Sequence, residues 1–174
     1  MITATDGAWR ILTPPKTGST ALRRFLACPP VNAEQSHYQH AMEPLEGAVM
    51  YATWRDPLDR VASLWRHRRY ELTPRGVPPA TAEEYPFEQF MDEVESHALT
   101  PFYWRTMTDW LRRVEIADYI HLETVQSDVM RLFGVGPVPR INTTDKARGH
   151  DPYKYGDNAK RVAKWYEEDL CESN

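Results

Sequence analysis

Lys16, Thr17, Gly18, Ser19 and Thr20 follow the apolar run 8–12 (AWRIL) and open a helical pattern. A turn of this composition can wrap backbone N–H groups around an anionic phosphate or sulfate at a helix N-terminus. Gly18 lets the backbone approach closely, Lys16 adds a point charge, and Ser19 and Thr20 add hydroxyl donors. The hydroxyls of Thr17, Ser19 and Thr20 also suit helix capping, and the two uses can hold together. A second constellation lies at 48–69: an apolar run ending in Arg55-Asp56-Pro57, with Ser63 eight residues after the arginine. An arginine fork at a strand end suits a phosphate better than a lysine does. A third is the pair His37 and His40 in QSHYQHA. Histidine is the commonest group to take the proton of an attacking hydroxyl.

The turn is not of the G-x-x-x-x-G-K-[ST] kind, because Arg10 and Pro15 stand where its glycines belong and the lysine precedes Gly18. That inverted order resembles the 5′-phosphosulfate loop of sulfotransferases that use 3′-phosphoadenosine-5′-phosphosulfate. AVMYATWRDPLDRVASLWRHRR (48–69) is similar to the same family's 3′-phosphate motif, with Arg55 and Ser63 at its two anion-binding positions. The histidine pair resembles one found before the Arg-Asp-Pro strand in uronosyl-type carbohydrate sulfotransferases. There the spacing is H-x-H, whereas here it is H-x-x-H, so His40 and His37 both stand as candidate bases, with Glu34 and Glu43 behind them. INTTDKARGHDPYKY looks like the family loop that closes over the nucleotide, offering Lys146 and Arg148; the same stretch also reads as a polar loop. KRVAKWYEEDL resembles the family's terminal helix. Judged by order and spacing, the resemblance extends over most of the chain.

The resemblance implies a P-loop-type fold and transfer of a sulfonate group to a hydroxyl. Lys16, Thr17, Gly18, Ser19, Thr20, Arg55 and Ser63 would bind the donor, and adenosine 3′,5′-bisphosphate would leave as product. It implies no metal and no covalent enzyme intermediate. Two other classes stay open. A P-loop kinase or nucleotide hydrolase would use Asp56 as a magnesium ligand, and a non-catalytic module would bind nucleotide without transfer. Zinc at His37 and His40 lacks further ligands to complete four.

The elements that must position these residues are read from periodicity. Apolar runs at 8–12, 48–54 and 117–122 predict strands. Helices are predicted over 19–27, 57–70, 87–97, 101–113, 123–133 and 157–170, with 31–47 irregular and 71–86 a surface loop long enough to be a lid or acceptor-side loop. Pro57 fits the first turn of its helix. Strands alternating with helices argue an α/β fold in three layers with a small central parallel sheet, and ligands bind outside the carboxyl ends of such strands.

At 174 residues and 41% hydrophobic content the chain suits a single domain, 1–174. The N-terminal stretch lacks a long apolar run, and no segment approaches the roughly 20 apolar residues of a membrane span. Two cysteines set no disulfide framework, so a cytoplasmic enzyme is expected. A net charge of −4 argues against nucleic acid and anionic membrane as partners. Over 55–75, however, six arginines face three carboxylates. This is either a solvated basic helix face or a local field for a charged donor. Phe102, Tyr103, Trp104 and Trp110 read as a core stripe or as an acceptor platform. His67, His97, His121 and His150 are assigned to packing or surface. An acidic chain this short suits a small or carbohydrate hydroxyl acceptor better than a long polyanion.

Overall fold

The computed structural model describes residues 1–27, 34–35, 44–74, 77–138 and 156–172. The chain divides into two compact units, each built from two stretches: Met1–Arg55 with Met107–Thr144, and Asp56–Thr106 with Asp145–Asn174.

The first unit is α/β. Its sheet contains β1 (Ile2–Thr3), β2 (Trp9–Leu12), β3 (Glu34–Gln35), β4 (Val49–Trp54) and β5 (Asp118–His121), in the order β3-β1-β2-β4-β5. The three strands expected from the sequence lie side by side and parallel: Ile11 is opposite Tyr51, and Ala52 is opposite Tyr119. The parallel sheet is therefore extended into a mixed one, since β1 pairs antiparallel with both β2 and β3. These two-residue strands carry too little pattern to read in advance, and β3 falls within the stretch expected to be irregular.

Period-two alternation sorts the side chains between the faces. Ile11 and Ile120 meet Leu22 and Leu26 of α1 (Ser19–Leu26) and Val129 of α6 (Val125–Phe133) on one face. Leu12, Met50, Ala52 and Trp54 meet Met107 and Leu111 of α5 (Met107–Leu111) on the other. Burial of these branched and aromatic side chains, each worth about 1.5–3 kcal/mol, sets the strand register.

The second unit is helical over its described residues: α2 (Pro57–Glu71), α3 (Phe87–Glu95), α4 (Pro101–Trp104), α7 (Asn158–Trp165) and α8 (Glu167–Glu172). Asp56 caps α2 by accepting from the Asp59 backbone N–H at 3.0 Å, and Pro57 occupies its first turn. Val61, Leu64, Trp65, Phe87, Phe90, Met91, Val94, Tyr103, Val162 and Tyr166 form one core. The helix predicted over 101–113 is broken at Arg105, whose backbone is extended. Its carbonyl accepts a hydrogen bond at 2.9 Å from Arg60, itself fully buried. Trp110 accordingly belongs to the first unit and not to a stripe with Phe102–Trp104. No helix among the described residues is long and apolar enough to cross a membrane.

Candidate functional site

The carboxyl ends of β2, β4 and β5 lie at the same edge of the parallel sheet, and the segments leaving them meet. The turn after β2 carries Lys16 at φ +66°, a left-handed conformation that side chains other than glycine seldom adopt. Gly18 follows at φ +88° and is the N-cap residue of α1, with no side-chain cap. The dihedral favours glycine, and a Cβ on Gly18 would sit 2.6 Å from Leu122 Cδ1, in the segment leaving β5, so the end of that side chain would have to shift. Leu122 is held in turn: its N–H donates to the Trp54 carbonyl at 2.9 Å. Asp128 accepts from the His121 N–H at 2.9 Å and from the Thr124 hydroxyl at 2.8 Å. Beside it, a hydrogen bond from Arg131 holds the Asp118 carboxyl below the usual carboxylate range.

Arg55, directly after β4, donates from a terminal guanidinium nitrogen to the Lys16 carbonyl at 3.2 Å. The two motifs identified at 16–20 and at 55 are thereby brought together within one unit. Lys16, Ser19, Thr20 and Arg55 are half-buried. Thr17 differs. It is 1% exposed, and its hydroxyl donates to the Pro14 carbonyl at 2.7 Å and meets the hydroxyl of Thr53. Its side chain braces the turn from beneath.

Ser63 lies half-buried on α2, in the second unit. His37, His40, Glu43, Lys146 and Arg148 lie outside the described residues, as does the side chain of Glu34.

Part of the basic stretch is used internally. Arg60 is buried with its guanidinium 5.6 Å from the Tyr166 ring centroid. Arg69 stacks on Trp65 at 4.9 Å and donates to the Ala80 carbonyl. The Arg69 contact also ties down the stretch expected to be a surface loop. Thr73 accepts there from the Ala80 N–H at 3.0 Å, and the Tyr85 carbonyl accepts from the Trp65 indole at 3.0 Å.

Arg68 faces a cleft of about 280 Å³ in the second unit, lined also by His67, Glu71, Leu99, Phe102 and Tyr103. There His67 Nε2 lies 3.5 Å from Glu71 Oε1, and Glu71 accepts from the Tyr103 hydroxyl. Burial, then the Glu71 hydrogen bond, pushes the Tyr103 phenol well above its ordinary value. The sequence reading placed His67 in packing or at the surface, and its ring does pack, 5.6 Å from that of Phe102. The His67–Glu71 spacing of one helical turn was the available signal for this pair. His97 does pack, 4.5 Å from the ring of Trp104.

Comparisons with protein-family models, with curated proteins and with solved structures give no match.

Proposed function

We propose that this chain transfers a sulfonate group from 3′-phosphoadenosine-5′-phosphosulfate to a hydroxyl of a small or carbohydrate acceptor, through a P-loop-like anion site at the end of β2. The observation that supports it best is the meeting of Lys16, the Gly18 turn and Arg55 at the carboxyl ends of parallel strands. The two elements of the sequence resemblance lie 39 residues apart and are joined there by one hydrogen bond.

In this reading the α1 N-terminus and the left-handed turn aim backbone N–H groups at the 5′-phosphosulfate. The Lys16 ammonium stabilises charge growing on the departing phosphate oxygen, an interaction stronger in the transition state than in the ground state. The Arg55 guanidinium has five N–H donors, so it can hold the Lys16 carbonyl and still bind the 3′-phosphate. His40 or His37 takes the acceptor proton as the oxygen attacks sulfur in line.

Calorimetry with adenosine 3′,5′-bisphosphate and with ATP plus magnesium tests the reading. Tight binding of the bisphosphate is expected. Binding of ATP alone would replace this reading with a kinase or hydrolase, and bisphosphate binding without transfer to a broad acceptor panel would favour a non-catalytic module. Arg55→Ala should weaken bisphosphate binding by about 1.5–3 kcal/mol, the worth of a charged hydrogen bond. Unchanged discrimination between 3′-phosphorylated and 3′-dephosphorylated nucleotides in that variant would remove Arg55 from the 3′-phosphate.

A further inference from the structure

Thr53 is fully buried at the end of β4, two residues before Arg55. Counting its hydroxyl protons assigns it a task. Thr17 has one hydroxyl proton, and the Pro14 carbonyl at 2.7 Å takes it. The contact between the Thr17 and Thr53 hydroxyls is then donated by Thr53. The other acceptor in reach of Thr53, the Leu12 carbonyl at 3.5 Å, is at the limit of a hydrogen bond. The end of β4 therefore grips the turn twice: through Thr17 on one side of Lys16's peptide and through the Lys16 carbonyl, held by Arg55. Both grips fall directly after the Lys16 Cα, whose conformation costs a non-glycine residue free energy and persists only where its surroundings impose it.

We infer that Thr53 is a positioning residue for the anion-binding turn, acting through the Thr17 hydroxyl to hold Lys16 and the following N–H groups in binding geometry. The inference rests on the nucleotide-binding reading above. It assigns no contact with the ligand to Thr53 or to the Thr17 hydroxyl. The pair is well suited to substitution, because each hydroxyl keeps another acceptor when its partner is lost: Thr17 keeps the Pro14 carbonyl, and Thr53 turns to that of Leu12.

The test compares adenosine 3′,5′-bisphosphate with adenosine 3′-monophosphate, whose affinity ratio isolates what the turn contributes through the 5′-phosphate. Thr53→Val should lower that ratio by ~2- to 10-fold, the worth of one neutral hydrogen bond whose partner keeps another acceptor, and leave the monophosphate affinity unchanged. Thr53→Ser should restore the wild-type ratio. Thr17→Val should lose at least as much as Thr53→Val, because it also gives up the bond to the Pro14 carbonyl, and the double variant should be no worse than Thr17→Val alone, as expected when Thr53 acts only through Thr17. Thermal unfolding of each variant verifies folding; if Thr53→Val does not fold, Thr17→Val reads the same bond from the other side. An unchanged ratio in folded Thr53→Val, a loss in Thr53→Ser equal to that in Thr53→Val, or multiplied losses in the double variant each overturn the inference alone. Wild-type protein binding neither nucleotide overturns the nucleotide reading and the inference together.

Discussion

Lys16 and Gly18 both have positive φ, yet only one of them is glycine. For an L-residue this region costs about 1–2 kcal/mol. Opposite outcomes follow at the two positions. Lys16→Gly removes the strain and the charge together, so it should be no less stable than wild type in urea unfolding while abolishing transfer. Gly18→Ala adds strain and drives a Cβ to 2.6 Å from Leu122. It should weaken adenosine 3′,5′-bisphosphate binding by ~5- to 30-fold, the equivalent of that strain. Adding Leu122→Ala should relieve the contact and not the dihedral, recovering only part of the loss. The proposed base acts on the acceptor alone. His40→Ala should bind the bisphosphate normally and lose ~10²–10⁴ in transfer rate, the usual worth of general-base catalysis. His37→Ala should be less affected, and full activity in both single variants and in the double one would move the base to Glu34, Glu43 or the acceptor itself.

At the scale of elements, α2 shows how one buried charge shapes distant backbone. Arg60 is enclosed on the core side of α2, between the Arg105 carbonyl and the Tyr166 ring. Arg60→Ala should destabilise the protein by about 2–4 kcal/mol, through lost packing and an Arg105 carbonyl without its charged donor, measured by chemical denaturation. That contact also explains what was illegible in the sequence. The three parallel strands and the helices α1, α2, α3 and α6 were readable within a few residues, because their apolar spacing is local. The break between α4 and α5 was not, because it depends on a guanidinium 45 residues away. Nor was the use of Arg60 and Arg69 inside the fold, since an arginine-rich run looks the same whether its stems face water or a core. In the candidate site, residue types and spacing pointed to Lys16, Gly18 and Arg55. They did not reveal that the Thr17 hydroxyl is turned inward, because its partner Thr53 comes from another strand.

Across the whole molecule, the helical unit concentrates phenols that resist ionisation. Burial pushes Tyr166 up to about 12, and burial followed by a carboxylate hydrogen bond pushes Tyr85 and Tyr103 up further. A raised folded-state value means the stabilisation is complete below the ordinary phenol value of 10.0 and is lost as pH rises through the folded one. Tyrosinate absorbance should therefore rise in two stages, with a late group of the nine tyrosines ionising only as the protein unfolds above about pH 12. A single reversible stage near 10.0 without unfolding would contradict the packing of these rings. The order in which the two units' pieces occur along the chain has a consequence for synthesis on the ribosome. Every strand among the described residues, and α1, α5 and α6, has been made by Thr144, while the helical unit still awaits Val162 and Tyr166. During that interval Phe87, Phe90 and Met91 have emerged without the helix that closes their core. The nascent chain thus exposes an apolar, aggregation-prone surface until Val162 and Tyr166, which cover it, have left the ribosome.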